Sequence, residues 1–312
     1  MLNFDPTYGY NLGQLLDVMP PPPADDFVGF WLARYQRALA LDPQPRLQVS
    51  NCKNDDFDCY DIHYTSTDNF DIGGWLLLPK HGQVTRGIIV GHGYGGREQP
   101  DFDLPISDAA FLFPCFRGLS RSKCQSVSDN PSLHVLHNID SREKYILGGC
   151  VDDLWLAVSV LQQLYPATLG RIGYLGISFG GGIGALAMPW DTRIQRGHYN
   201  VPSFGNQALR LQLPTLGSAA AVQNYHLEHS NILDVLKYYD AAVAAKYIHA
   251  PVHVAAALAD PVVAPPGQFC IYNALPQGKK LYILEKGHSD YPQQAIQKTE
   301  LLAEIQGFFS TL

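Results

Sequence analysis

The segment Gly176-Ile177-Ser178-Phe179-Gly180-Gly181-Gly182 narrows the architectures open to this chain more than any other stretch. It fits G-x-S-x-G, follows an apolar run at 171–177 that reads as a strand, and opens a helix. Glycines two residues either side of the serine permit a tight strand-to-helix turn, because a Cβ there would meet the neighbouring strand and helix. Such a turn strains the serine backbone and exposes its hydroxyl at a helix N-terminus, where the dipole favours developing negative charge. The chain has 28 glycines, so a chance match is the competing reading. The strand before and the helix after weigh against it.

The surrounding pattern supports that setting. Gly87-Ile88-Ile89-Val90 and residues 109–113 are short unbroken apolar runs, as expected for strands buried on both faces. Residues 253–258 and 281–284 read the same way. Helices are expected over about 25–40, with a stripe of Phe27, Phe30, Trp31, Leu32, Tyr35 and Leu39. Two more are expected where Val151, Leu154, Trp155, Val158, Leu161 and Leu164 recur at 3.6 spacing, and at the C-terminus through Leu301, Leu302, Ile305, Phe308, Phe309 and Leu312. Strands alternating with helices over this length predict a doubly wound, mainly parallel α/β sheet. Residues 60–65 and 72–79 flank a turn-like Ser-Thr-Asp-Asn and predict an antiparallel hairpin region before it. Residues 1–24, ending in the proline run 20–23, read as an irregular lead-in. No internal repeat or boundary divides the chain, so 1–312 is read as one domain.

Composition excludes some functions. Apolar residues make up 46% of the chain and charged ones 16%, which suits a large folded core. A net charge of −7 gives no basic field for nucleic acid or anionic lipid, and favours a neutral or weakly charged small substrate. The six cysteines (52, 59, 115, 124, 150 and 270) show no C-x-x-C spacing and read as reduced, mostly buried thiols, with no metal site expected. The first residues have neither a basic nor an apolar signal region, and no stretch is long enough to span a bilayer. The expectation is a soluble, cytoplasmic protein.

A serine nucleophile needs a base to take its proton and a carboxylate to orient that base. Behind a strand–turn–helix elbow, acid and base follow in chain order, each just past a late strand. Asp260 follows the run 254–258, and His288 follows 281–284. Among eleven histidines, His226 and His229 lie in an expected helical insertion and His253 begins a strand, so each reads as structural or surface. Asp290 is the nearest alternative acid. The glycine-rich loop His92-Gly93-Tyr94-Gly95-Gly96 follows an early buried strand, where main-chain N–H donors for an oxyanion are expected. The N–H groups of Tyr94 and Phe179 are the candidates, and His92 reads as a supporting residue behind them. A phosphate loop is the competing reading of these glycines, but no G-K-[ST] follows.

With these residues in place, the chain resembles the acetyl xylan esterase and cephalosporin C deacetylase family of carbohydrate esterases, within the α/β-hydrolase superfamily. The resemblance runs from about Asp25 to the C-terminus. It rests on Phe-x-x-Phe-Trp at 27–31, Gly74-Trp75-Leu76-Leu77-Leu78-Pro79, His92-Gly93-Tyr94-Gly95-Gly96, Tyr239-Asp240, and Asp260 with Pro265-Pro266 and Tyr272-Asn273-Ala274. It implies removal of acetyl groups from sugars and related small molecules, no cofactor or metal, often a homo-hexamer, and an oxyanion role for Tyr94. Three signature positions depart. Leu119 stands where the family has glutamine after Arg-Gly, Phe179 where it has glutamine after the serine, and Ser289 where it has glutamate after the histidine. Together they predict a more apolar rim around the nucleophile.

The leading expectation is therefore ester hydrolysis through an acyl-enzyme. A peptidase of the prolyl oligopeptidase type stays open, although 312 residues leave no room for a propeller. A hydrolase fold kept as a binding module also stays open, although such modules usually lack a triad member and none is missing here.

Overall fold

The computed structural model describes residues 2–312. Among the described residues nine strands form one sheet: β1 (Arg46–Val49), β2 (Phe57–Thr65), β3 (Asp71–Pro79), β4 (Arg86–Gly91), β5 (Ala109–Pro114), β6 (Ile172–Ile177), β7 (Ile194–Asn200), β8 (Val252–Ala259) and β9 (Lys280–Lys286). Their order is β1-β2-β3-β5-β4-β6-β7-β8-β9. Pairings up to β3–β5 are antiparallel and every pairing beyond is parallel. The expected hairpin is β2–β3, with Tyr60 opposite Leu76. Two strands carried no signal in the sequence. The residues of β1 are exposed, and β7 (Ile-Gln-Arg-Gly-His-Tyr-Asn) owes its place to β6 and β8 on either side.

The apolar runs divide between the two faces by strand alternation. Ile88, Val90, Phe111 and Phe113 pack against Leu301, Ile305, Phe308 and Phe309 of the C-terminal helix Gln294–Phe309. Ile89, Ala110 and Leu112 turn to the other face, where the helices Phe27–Leu39, Ile146–Leu164 and Phe179–Ala187 cover the sheet. Burying each large aliphatic side chain stabilises by about 1.5–3 kcal/mol relative to leaving it exposed. With helices on both faces, the architecture is the expected doubly wound α/β-hydrolase fold.

Three local expectations are corrected. In the helix Phe27–Leu39, Phe27 and Trp31 are buried, but Leu32 and Leu39 are 42% and 40% exposed. Arg34 occupies the inner face instead, because Asp152 meets it at 2.8 Å. The segment 1–24 is not wholly irregular: Leu12–Leu16 forms a helical turn, closed by a capping box between Asn11 and Gln14. The prolines 20–23 lie outside any helix or strand. In the C-terminal helix Leu302 is only partly buried, and Leu312 lies beyond its end.

All six cysteines are free, and Cys59, Cys115, Cys150 and Cys270 are buried. Among the described residues no helix is long and apolar enough to cross a membrane. Parallel pairing of β4, β6, β8 and β9 brings the loops after all four to one edge of the sheet. Those loops carry Tyr94, Ser178, Asp260 and His288.

Candidate active site

Ser178 follows β6 and caps the helix Phe179–Ala187 with φ 53° and ψ −111°, a conformation non-glycine residues rarely adopt. Packing holds it there. A Cβ on Gly176 would lie 2.5 Å from the Gly180 carbonyl oxygen, and one on Gly180 would lie 2.7 Å from the backbone of Gly91. The Ser178 N–H donates to the Asn200 carbonyl at the end of β7 (2.8 Å), and its carbonyl accepts from Ser203 N–H and Gly182 N–H.

The Ser178 hydroxyl is 2.9 Å from His288 Nε2, and His288 Nδ1 is 2.7 Å from Asp260 Oδ2. An ionised Asp260 can only accept, so Nδ1 carries the proton and Nε2 is left to accept from the serine. Asp260 is fully buried and well supplied with donors. Its Oδ1 accepts from Val262 N–H (2.9 Å) and Val263 N–H (3.0 Å), and its Oδ2 also accepts from Gln268 Nε2 (2.9 Å). Gln268 is itself fixed, accepting from Ala257 N–H and donating to the Val263 carbonyl. The N-terminal segment braces the same loop. Asp260 N–H donates to the Pro6 carbonyl (2.9 Å), and the Tyr8 hydroxyl donates to the Pro214 carbonyl (2.8 Å).

Gly180 N–H donates to the His92 carbonyl (3.0 Å), which ties the glycine-rich loop to the start of the helix. The N–H groups of Tyr94 and Phe179 flank this tie, and neither has an acceptor among the described residues. His92 supports the loop as expected: Nδ1 donates to the Gly93 carbonyl (2.7 Å) and Nε2 accepts from Phe116 N–H (3.0 Å). Burial lowers its pKa to about 4, so it is neutral at pH 7. Tyr94 Oη bonds His134 Nδ1 (3.0 Å), and burial also lowers His134 to about 4.

The other candidates lie elsewhere. His253 is buried against His198, with Nδ1 atoms 2.9 Å apart, and reaches Glu304. His229 packs against the ring of Tyr225. Asp290 is exposed and lines a cleft of ≈ 600 Å³ with Ile177, Asn200, His288, Ser289 and Tyr291; it is not the partner of His288.

The expected apolar rim is corrected. Phe179 is fully buried behind the elbow, its ring 4.2 Å from Tyr94 and among Phe116 and Phe204. Leu119 is buried too, so neither apolar replacement lies on the rim, where Ser289 is exposed. Arg117, just before that leucine's glycine, lies in a buried ion pair with Asp153 (2.6 Å), to which its own N–H also donates. Sequence reasoning missed Gln268, His134 and the Asp152–Asp153 pair, which no local motif marks. Among the described residues no cluster of three or more His, Cys, Asp or Glu could hold a metal.

Residues 11–304 match the family model for acetyl xylan esterase (AXE1). Among solved structures, an acetyl xylan esterase from Paenibacillus sp. R4 superposes with a TM-score of 0.84 at 20% identity, covering 96% of this chain and 100% of that one. Acetyl xylan esterase 1 from Thermoanaerobacterium sp. JW/SL YS485 gives 0.81 at 19% identity, covering 97% and 99%. An acylaminoacyl peptidase from Pyrococcus horikoshii gives 0.63 at 16% identity, and the match covers 82% of this chain and 42% of the peptidase. The family match spans nearly the whole chain, and on it the protein belongs to the acetyl xylan esterase family.

Proposed function

We propose that the protein is a serine carboxylesterase that removes short acyl groups, acetyl foremost, from sugars or related small molecules through an acyl-enzyme. The observation that carries this reading is the unbroken relay Asp260 Oδ2–His288 Nδ1 (2.7 Å) and His288 Nε2–Ser178 Oγ (2.9 Å). Ser178 Oγ attacks the ester carbonyl carbon as His288 Nε2 takes its proton. The N–H groups of Tyr94 and Phe179 receive the oxyanion, each such donor supplying about 2.7–4 kcal/mol of barrier lowering. Collapse breaks the bond to the alcohol oxygen, which leaves with the proton from His288. Water then attacks the acyl-serine by the same steps in reverse, releasing the acid and restoring Ser178.

Hydrolysis of p-nitrophenyl acetate by wild type and Ser178→Ala tests the reading. A loss of about 10⁴-fold or more is expected, and equal turnover overturns it. The homo-hexamer implied by the family resemblance belongs to the same proposal. Light scattering should give six copies of the 34.5 kDa chain, and a monomer would refute that part alone.

A further inference from the structure

The loop of the proposed acid is held from outside by a segment far away in the chain. Asp260 is fully buried, and its N–H finds its acceptor in the Pro6 carbonyl (2.9 Å). The Tyr8 hydroxyl donates to the Pro214 carbonyl (2.8 Å) and lies 3.3 Å from the Asp260 carbonyl oxygen. Burial and the nearby Asp260 charge raise the pKa of Tyr8, so it stays a donor. The loop of Pro214 also grips the acid loop directly. Leu216 N–H donates to the Pro261 carbonyl (3.2 Å), and Thr215 Oγ1 donates to the Val262 carbonyl (2.9 Å). Tyr8 therefore sits where these two loops meet.

The segment is a built turn. The Asp5 carboxylate accepts from Thr7 N–H (2.9 Å) and Thr7 Oγ1 (2.7 Å). Tyr8 N–H donates to the Asp5 carbonyl (3.0 Å), and Tyr10 N–H to the Thr7 carbonyl (3.1 Å). Tyr8 and Gly9 both take left-handed backbone angles, φ 55° and 74°. A Cβ on Gly9 would meet nothing within 4 Å, so only the backbone angle favours glycine there. Further along, Leu15 is fully buried, and the carbonyls of Leu15 and Val18 accept from Asn273 Nδ2 (2.9 Å each). Asn273 lies in the helix Pro265–Ala274, which also carries Gln268, the side-chain donor to Asp260 Oδ2. The N-terminal segment thus touches two supports of the acid, its backbone N–H and the helix of its side-chain donor.

Undocking the turn leaves the buried Asp260 N–H without its acceptor, and a buried donor without a partner is costly. The loop then has to shift toward water, and it carries the carboxylate that meets His288 at 2.7 Å. Small displacements of a positioned group lower a rate steeply. We propose that residues 5–10 form a positioning strap for Asp260, with Pro6 and Tyr8 as the positioning residues, so that the site reaches its full rate only while the strap is docked. This rests on the carboxylesterase reading above. The strap bonds to neither Ser178 nor His288 among the described residues, so its loss should fall on kcat and spare KM.

Tyr8→Ala and Gly9→Val loosen the strap from outside the relay. A β-branched residue resists the left-handed angle at position 9, whereas asparagine tolerates it, which makes Gly9→Asn the conservative control. Hydrolysis of p-nitrophenyl acetate and hydrogen exchange of the Asp260 amide are followed on the full chain. Both loosened variants should exchange faster there and lose about 10-fold in kcat, with KM within about twofold of wild type. Gly9→Asn should match wild type in both measurements. Faster exchange with kcat within about twofold of wild type overturns the proposal. Unchanged exchange overturns it too, because Tyr8 and Gly9 then do not hold the strap. An equal loss of kcat in Gly9→Asn and Gly9→Val also overturns it, since the backbone turn would not be the cause. Ser178-dependent turnover that the loosened variants keep refutes the strap alone. Equal turnover by wild type and Ser178→Ala refutes the carboxylesterase reading, and the strap's role with it.

Discussion

Replacing Gln268 by methionine keeps much of the side-chain volume and removes one donor from the proposed catalytic acid. Gln268 Nε2 lies 2.9 Å from Asp260 Oδ2, the same oxygen that accepts from His288 Nδ1 at 2.7 Å. The site is fully buried, and a hydrogen bond to a charged group is worth about 1.5–3 kcal/mol there. Two effects follow from its loss. The carboxylate can rotate away from the imidazole, which should lower the kcat/KM plateau about 10-fold, a share of that energy. The carboxylate charge is also shared among fewer donors, so it favours the imidazolium more strongly. The reactive form is the neutral imidazole, so activity is then lost at a higher pH on acidification. The acid limb of the kcat/KM profile should move to higher pH. The variant also orphans Ala257 N–H and should unfold more easily, which a merely structural role would predict too. The assay that separates them is the pH profile of p-nitrophenyl acetate hydrolysis on folded protein. A limb that stays in place refutes the electrostatic role of Gln268, whatever happens to the plateau.

Other perturbations have equally definite outcomes. Gly180→Ala would press a Cβ to 2.7 Å from the Gly91 backbone and should part the oxyanion loop from the helix start. A loss of about 10²–10³-fold in kcat is expected, as for removal of one oxyanion donor, and activity within threefold of wild type would contradict that packing. Arg117→Met leaves Asp153 as a fully buried carboxylate without its counter-charge. Urea unfolding should show a loss of about 3–5 kcal/mol, and a loss under about 1 kcal/mol would show that the pair matters little. His92 and His134 are lowered to about 4 from 6.5, so the unfolded chain binds more protons between those limits and stability falls as pH drops through that window. At pH 5 each should remove about 2 kcal/mol, and urea midpoints identical at pH 7 and pH 5 would refute this.

The elbow and the positions of the proposed acid and base are legible in the sequence because each depends on local chemistry. Strained serine geometry demands nearby glycines, and Asp260 and His288 each follow an apolar run. What was illegible depends on partners distant in the chain. Leu32 and Leu39 fit the apolar stripe, while Arg34 takes the inner face because a carboxylate 118 residues away draws it inward. β7 carries Arg196 and His198 within its run, so its alternation is masked, and only β6 and β8 on either side define it. The family pattern points Phe179 to the rim because it shows where a residue stands and not where its side chain turns. The helical start directs that side chain inward, into the cluster with Tyr94, Phe116 and Phe204. Gln268 lies in the helix Pro265–Ala274 with no motif around it, and only the approach to Asp260 gives it a role.

The central claim is that Ser178 is the nucleophile of an acyl-transfer site driven by His288. Labelling with a fluorophosphonate, followed by peptide mass spectrometry, tests it most directly. The account predicts one adduct, on Ser178, absent in Ser178→Ala and formed far more slowly in His288→Ala. A protein that hydrolyses p-nitrophenyl acetate but carries no adduct, or carries it on another residue, would contradict the account.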